Sequence, residues 1–256
     1  MSKPVIKTDM FSRMAECSGE NLVNHYKGLP VHALPGLHEY VGHLAKKAFP
    51  LPSRLIDLAA GGGALSLRLK DLGHEIMACD YVAENYRLSG TIPFMPLDLN
   101  SDYAARIQAK YDGAIAVEII EHLENPRHFI REIFTLLMPG GTLILTTPNI
   151  DNPVSLACFM RFGWFQFFRD RDYENGHISP ISQWSLRKIM SEVGFDHVRF
   201  SSFGDPFQMT RGWWRLKVLA RLINRISVRK NNANGTILVV TAIKPKVDVQ
   251  SGESRS

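Results

Sequence analysis

Apolar and polar positions alternate along the chain with two different periods, and this pattern predicts strands separated by helices. Five short apolar runs predict strands at residues 54–58, 75–80, 93–99, 113–118 and 141–147. Helical periodicity predicts helices at residues 36–49, 64–72, 126–137 and 185–193. Two further strands are predicted at residues 197–202 and 236–243. This order is typical of an α/β fold, with a mainly parallel sheet that carries helices on both faces.

Acidic residues close four of the predicted strands. They are Asp57, Asp80, Asp98 and Glu118. In open sheets of this class, ligands bind outside the carboxyl ends of the strands. Because an unpaired carboxylate beside a core is costly, four such acids indicate a binding site at this edge of the sheet.

A glycine loop, Asp57-Leu-Ala-Ala-Gly61-Gly62-Gly63, joins the first strand to the next helix. Glycine lets a ligand approach the backbone closely, and a helix N-terminus favours a carboxylate or a phosphate. Asp80 ends the next strand, where it is placed to accept hydrogen bonds from both hydroxyls of a ribose. The nicotinamide-dinucleotide fingerprint needs a third glycine where this chain has Ser66. The loop therefore favours a smaller nucleoside with a charged tail, and a tight turn without ligand remains the alternative.

These residues, together with Asp98-Leu99 and Leu137-Met-Pro139-Gly140-Gly141-Thr-Leu, resemble class I S-adenosylmethionine-dependent methyltransferases over roughly residues 50–245. The resemblance implies a Rossmann-like, seven-stranded sheet whose last strand is antiparallel, and S-adenosyl-L-methionine as the cofactor. It implies that Gly61 and Gly63 pass under the methionine, Asp80 holds the ribose, Asp98 binds the adenine amine and Leu99 packs on the adenine ring. The other cofactor-binding residues that it implies are Ala59, Tyr81, Glu118 and Asp57. Of these, Asp57 is expected to order the glycine loop rather than to contact the cofactor directly.

The segment Glu118-Ile-Ile-Glu121-His122 follows the fourth strand, and with the turn Thr146-Thr147-Pro148-Asn149 it resembles a subgroup of the family. That subgroup contains ubiquinone-biosynthesis O-methyltransferases and small-RNA 2′-O-methyltransferases. The resemblance implies three catalytic residues, His122, His177 and Glu121. It also implies a divalent metal ion held by Glu118, Glu121, His122 and His177, and imidazole ligands suit manganese, zinc or iron better than magnesium.

A metal-free interpretation of the same segment remains open. Glu118 then faces the cofactor, and His122 acts by itself as the general base. Glu121 in that case caps the following helix or pairs with an arginine.

Residues 153–168 form a dense aromatic segment in which Arg161 is the only charged residue. Its aromatic residues are Phe159, Phe162, Trp164, Phe165, Phe167 and Phe168. An exposed cluster of this kind indicates an apolar acceptor, a membrane surface or a partner protein. A lid that packs on the core is the alternative.

Residues 211–230 carry seven basic side chains and no acid, whereas the rest of the chain holds 23 basic and 25 acidic residues. A helix over this segment is amphipathic. Its apolar side is predicted to hold Trp213, Leu216, Leu219, Ala220, Ile223 and Ile226, and Trp214, Val218 and Leu222 interrupt the basic side. Such a helix either lies on an anionic bilayer, binds phosphates, or covers the core with its basic side in water.

The composition of the chain indicates its general class and its compartment. The 256 residues are 45% hydrophobic and 21% charged, which excludes a disordered or fibrous chain. Three widely spaced cysteines argue against a disulfide scaffold and favour a reducing compartment. We expect a cytoplasmic protein whose basic helix allows peripheral contact with the inner membrane face. The expected organisation is an N-terminal helical cap (1–50), a methyltransferase domain (51–246) with the aromatic insertion (152–176) and the basic helix (211–230), and a flexible tail (247–256).

The expected function is O-methylation of a small-molecule, glycan or lipid-linked acceptor, with contact to a membrane surface. Nucleic acid is not expected as a partner, because the basic charge is confined to one helix. Two alternatives come from other classes: an NAD(P)-dependent oxidoreductase, and a non-catalytic membrane-associated protein on a methyltransferase fold.

Overall fold

A computed structural model describes residues 24–208, 213–226 and 234–246. The predicted tail, the first 23 residues of the predicted cap and both ends of the predicted basic helix lie outside these ranges. The strands are β1 (His25–Tyr26), β2 (Leu29–Pro30), β3 (Arg54–Leu58), β4 (Glu75–Asp80), β5 (Phe94–Pro96), β6 (Tyr111–Val117), β7 (Leu137–Pro148), β8 (Asp196–Phe203) and β9 (Ile237–Ile243). The helices are α1 (Leu37–Ala48), α2 (Ala64–Asp71), α3 (Pro126–Leu136), α4 (Pro153–Phe162), α5 (Asp170–Glu174), α6 (Gln183–Val193) and α7 (Trp214–Ile226).

Seven strands form one sheet in the order β5-β4-β3-β6-β7-β9-β8. The pairs β3–β4, β4–β5, β3–β6 and β6–β7 are parallel, and β9 runs antiparallel to both β7 and β8. The predicted fold class is therefore confirmed, including the antiparallel last strand. This topology brings the carboxyl ends of β3, β4, β6 and β7 to one edge of the sheet.

Alternating residues of each strand supply two cores, one on either face of the sheet. On one face, Leu55 of β3 packs in a cluster with residues of α1 and α2. On the other face, Ile56 and Leu58 pack in a cluster with residues of α3 and α6. Because both faces are covered, β3 and β6 are buried almost throughout, and apolar residues make up most of each strand.

The structure differs from the sequence-based elements in a few places. Residues 24–50 hold, besides α1, the short hairpin of β1 and β2, which the sequence does not predict. Strand β5 is shorter than predicted, so Asp98 and Leu99 follow it rather than end it. Strand β7 begins at Leu137, four residues before the predicted start, because Leu137 pairs with Tyr111. No helix among the described residues has the length and apolar character needed to cross a membrane.

Candidate active site

The glycine loop is tied to the end of β4 by its backbone. The amide of Gly61 donates to Asp80 Oδ2 at 2.8 Å, and the amide of Val82 donates to Asp80 Oδ1 at 3.0 Å. Gly61 has a φ of 53°, and a Cβ placed on it would meet no atom within 4 Å. The loop therefore borders open space at Gly61, where a ligand can lie against the backbone.

Gly63 is required for packing rather than for open space. Its φ is 93°, and a Cβ there would lie 2.7 Å from Leu88 Cδ1 and 3.0 Å from Tyr86 Cε2. It is also the residue from which α2 begins. A side chain at this position would collide with Leu88 and Tyr86, so glycine lets the loop pack closely against these two residues.

Asp57 is buried at the end of β3, and Ser66 Oγ in α2 donates to its Oδ2 at 2.5 Å. Burial raises the pKa of Asp57 to about 7, against the lowering effect of the Ser66 hydrogen bond. Ser66 stands where a dinucleotide-binding loop would have glycine, and here its hydroxyl binds Asp57. The contact holds α2 against β3, which keeps the glycine loop in place.

The residues predicted around the adenosine lie along the same edge. Leu99 is buried, whereas Asp98 is half-buried and its Oδ1 accepts a hydrogen bond from the Asn100 amide at 2.9 Å. Tyr81, directly after β4, is 57% exposed. Asp98 therefore keeps carboxylate lone pairs for a donor at the edge of the sheet, and its binding role stays a prediction.

Two non-glycine residues adopt a left-handed backbone where neighbouring strands end. Ala59 follows β3 with a φ of 68°, and Glu118 follows β6 with a φ of 51°. Such conformations cost of order 1–3 kcal/mol and are concentrated at functional sites. The two strained residues thus lie at the ends of neighbouring strands, at the edge where the sequence predicts a binding site.

Two consecutive threonines of β7 hold the two glutamates. Thr146 Oγ1 donates to Glu118 Oε1 at 2.8 Å, and Thr147 Oγ1 donates to Glu121 Oε2 at 3.0 Å. Burial raises the pKa of Glu118 to about 7. Burial also raises the pKa of Glu121 well above its usual value, and the negative charge of Glu118 adds to that effect.

Glu121, His122 and His177 form a compact group. One side-chain donor atom of each lies within 4.8 Å of those of the other two, and the two imidazole rings are 4.7 Å apart between centroids. Glu121 Oε1 is buried and has no hydrogen-bond partner among the described residues. Burial lowers the pKa of His122 to about 4, and it also lowers the pKa of His177. Both imidazoles are therefore neutral near pH 7, which leaves each a nitrogen lone pair.

His177 is oriented by its own neighbourhood. Its Nδ1 lies 2.9 Å from the carbonyl oxygen of Phe167, and its ring lies 5.7 Å from that of Phe168. With Nδ1 donating to that carbonyl, the lone pair of the neutral ring is on Nε2. Phe167 has a φ of 68°, so its backbone is strained at the point where it contacts His177.

The structure thus brings together three of the four predicted metal ligands, and Glu118 lies outside the three-residue group, bonded to Thr146. Sequence reasoning missed three supporting contacts: the threonines that hold the glutamates, the Ser66 hydroxyl on Asp57, and the Phe167 carbonyl on His177. The Thr146-Thr147 pair was visible as a motif, but its hydrogen bonds depend on the register of β6 against β7. No sequence signal marks a backbone carbonyl as a partner.

Comparison with known proteins identifies the family. Residues 34–199 match the family described as a methyltransferase domain. The ubiquinone biosynthesis O-methyltransferases of Xanthomonas campestris pv. campestris (strain B100) and Xanthomonas axonopodis pv. citri (strain 306) are 35% and 33% identical to this chain over 128 residues. Each alignment covers 47% of this chain and 52% of the relative, so the chain matches about half the length of these curated relatives.

Solved structures agree on the fold. A SAM-dependent methyltransferase from Archaeoglobus fulgidus is 17% identical, with a TM-score of 0.59 over 81% of this chain and 94% of that one. A SAM-dependent methyltransferase from Thermotoga maritima is 14% identical, with a TM-score of 0.53 over 81% of this chain and 91% of that one. At these identities the likeness concerns the fold alone. With the family match over residues 34–199, the chain belongs to the class I S-adenosylmethionine-dependent methyltransferases.

Proposed function

We propose that this protein transfers a methyl group from S-adenosylmethionine to a hydroxyl oxygen of a small-molecule acceptor. The observation that carries the proposal is the convergence of Glu121, His122 and His177, whose donor atoms lie within 4.8 Å of one another. They lie at the sheet edge that also holds Asp80 and the glycine loop. Family membership favours this activity over an NAD(P)-dependent oxidoreductase and over a non-catalytic protein on the same fold.

The donor side of the cleft suits S-adenosylmethionine. Bound there, the cofactor supplies a methyl group made electrophilic by its sulfonium. Asp80 is held by two backbone amides and keeps further lone pairs for the ribose hydroxyls. Gly61 offers open backbone for the methionine, and Asp98 and Leu99 would bind the adenine as a carboxylate and an apolar surface.

The acceptor side supplies neutral nitrogen bases. Methyl transfer to oxygen is an in-line displacement, so the protein must position the acceptor hydroxyl and remove its proton. His122 and His177 are neutral near pH 7, and the Phe167 carbonyl fixes the Nε2 of His177 as the accepting nitrogen. In the metal-free form, we assign the two histidines to acceptor positioning and proton removal, with Glu121 beside them, since one donor atom of each of the three residues lies within 4.8 Å of the others.

The same three residues fit a divalent cation. Two neutral imidazoles and an orphaned, buried carboxylate oxygen are a donor set that manganese, iron or zinc accept. Such an ion would lower the pKa of the acceptor hydroxyl. Glu118, bonded to Thr146, would lie next to this set rather than in it.

Two observations narrow the class of hydroxyl compounds that would serve as the acceptor. The curated relatives are named for ubiquinone biosynthesis, and exposed aromatic residues lie on α4, which begins five residues after β7. Both observations support an amphiphilic acceptor, such as a lipid-linked phenol, over a free sugar or a glycan. We propose a cytoplasmic location with contact to the inner membrane face, because a lipid-linked acceptor would be found there.

The experiment that tests the proposal is a methyl-transfer assay with isotope-labelled S-adenosylmethionine. We would offer a catechol, a prenylated catechol and a free sugar, and identify products by mass spectrometry. The proposal expects a methylated oxygen on a catechol, inhibition by S-adenosylhomocysteine, and loss of turnover with a chelator that added manganese reverses. Activity that persists after chelation contradicts the metal assignment, and the absence of methylation on every acceptor contradicts the acceptor assignment.

A further inference from the structure

Helices α4 and α7 pack on each other to form a small unit at the site edge of the sheet. Their shared core contains Val154, Ala157 and Cys158 from α4 and Leu216 and Ala220 from α7. Asn152, at the start of α4, accepts hydrogen bonds from the amides of Val154 and Ser155, both at 2.9 Å. This core covers only a narrow stripe of each helix, so large apolar side chains remain outside it.

The uncovered side of this unit is apolar. Five exposed residues lie on or directly before α7, and three lie on α4. They are Trp213, Trp214, Val218, Leu222 and Ile226, with Phe159, Met160 and Phe162. Trp214, Val218, Leu222 and Ile226 recur every four residues, which places them along one side of the helix. Phe162 and Trp213 are in ring contact at 5.3 Å, so the exposed residues of the two helices are continuous.

Helix α4 covers only part of the predicted apolar side of α7. Leu216 and Ala220 of that side are buried, whereas Trp213 and Ile226 are 48% and 67% exposed. The reason is that α4 is the element packed on α7, and one helix covers a stripe narrower than the full apolar side.

Cations border this apolar surface, and the two helices contain no acid between Pro153 and Phe162 or between Trp214 and Ile226. The cations are Arg161, Arg215, Lys217, Arg221 and Arg225. Two of them lie over the aromatic rings, Arg161 at 5.3 Å from the Phe162 centroid and Arg215 at 5.3 Å from that of Trp214. A positive surface with interleaved tryptophan and aliphatic side chains matches the headgroup region of a bilayer.

We propose that this α4–α7 face docks on an anionic lipid surface. The aromatic and aliphatic side chains enter the boundary between headgroups and acyl chains, and the cations contact lipid phosphates. A nucleic acid would contact the cations but leave Val218, Leu222 and Ile226 in water. A partner protein of mixed charge would not account for the absence of acidic residues from both helices. Charge complementarity therefore selects the anionic bilayer.

The docking face is connected to the active site. Ser155 of α4 accepts a hydrogen bond from the Gln166 amide at 3.1 Å, and the next residue, Phe167, holds His177 through its carbonyl. The segment between α4 and His177 is thus bonded at one point to a helix of the docking face and at the next residue to a histidine of the site. The proposal concerns docking alone, and it stands or fails independently of methyl transfer.

Flotation of the full chain with lipid vesicles tests the proposal. The probes are vesicles of phosphatidylcholine alone and of equimolar phosphatidylcholine and phosphatidylglycerol. We expect binding to the anionic vesicles only, weakened by salt. Arg221→Glu with Arg225→Glu should lower the apparent partition coefficient about tenfold or more, and Trp214→Ser with Leu222→Ser should lower it similarly, because all four side chains are exposed.

Matched controls change the same residue types elsewhere. Trp184→Ser alters a tryptophan on α6 that is 61% exposed, and Lys46→Glu with Lys47→Glu reverses two exposed cations of α1. Both controls should bind the anionic vesicles like the unchanged protein, with all variants melting at the same temperature. Equal binding to both vesicle types, no binding to either, or equal losses in the controls would overturn the proposal. Calorimetry with S-adenosylhomocysteine on the same samples reports the cofactor site separately.

Discussion

At the scale of single residues, one carboxylate of the proposed donor site, Asp80, is fixed before any ligand binds. Asp80 accepts from the amides of Gly61 and Val82, so both of its oxygens have a set direction. Such preorganisation strengthens binding because little ordering remains to be done when the ligand arrives.

We expect Asp80→Ala to weaken S-adenosylmethionine binding by about 1–3 kcal/mol, because hydrogen bonds to a charged group are lost. Isothermal titration calorimetry measures the change. Asp102→Ala, which removes a carboxylate whose side chain is 89% exposed, is the control and should bind normally. Unchanged affinity in Asp80→Ala would remove this residue from the ribose site.

His122→Ala should abolish turnover and leave S-adenosylmethionine affinity nearly unchanged, because we propose that the histidine contacts the acceptor rather than the cofactor. Single-turnover kinetics and calorimetry give the two quantities. His43→Ala, an exposed histidine of α1, should keep full activity. A fully active His122→Ala protein would exclude this side chain from the reaction.

At the scale of elements, the N-terminus of α4 depends on Asn152, which is buried. Its side chain accepts from two helix amides and donates to the Asn149 carbonyl at 2.6 Å. No other residue type of this size both accepts at the cap and donates backwards along the chain.

Asn152→Ala should lower the free energy of unfolding by about 1–2 kcal/mol, the usual range for a lost helix cap. Chemical denaturation measures it. The comparison is Asn125→Ala, which removes the cap of α3 but only one hydrogen bond, from the His128 amide at 3.0 Å. If Asn152→Ala costs less than Asn125→Ala, the buried contacts of Asn152 do not stabilise α4.

The sequence predicts those helices and strands whose position depends only on which residues are buried. Strands β3 and β4 occupy the predicted residues, because buried apolar residues make up most of each strand. The hairpin of β1 and β2 was missed, because strands of two residues carry no periodicity. The acids of the candidate site could be predicted together with the strands, because they lie at or just after the ends of apolar stretches. Their threonine and serine partners could not be predicted, because strand register and helix rotation decide which side chains meet.

At the scale of the whole molecule, the buried carboxyl of Asp57 makes folding depend on pH. Burial raises its pKa from 3.8 to about 7, so the folded chain holds this proton where the unfolded chain has lost it. The stabilising contribution is thus complete below pH 3.8 and declines as the pH rises to about 7. Above that value the ionised carboxylate stays buried, with Ser66 as its donor and the charge of Asp80 nearby.

Asp57→Asn should remove this dependence. Relative to the unchanged protein, the variant should gain stability as the pH rises from 3.8 to about 7, and the gain should then level off. Thermal unfolding across this range measures it, with the exposed residue change Asp102→Asn as the control. A constant difference between variant and unchanged protein at all pH values would show that Asp57 does not hold the extra proton.

We propose above all that the edge formed by the glycine loop, Asp80 and Asp98 binds S-adenosylmethionine and its product S-adenosylhomocysteine. Calorimetric titration of the full chain with S-adenosylhomocysteine, and separately with NADH, tests it most directly. The account predicts saturable one-to-one binding of S-adenosylhomocysteine and no heat with NADH. Saturable binding of NADH with none of S-adenosylhomocysteine would contradict it.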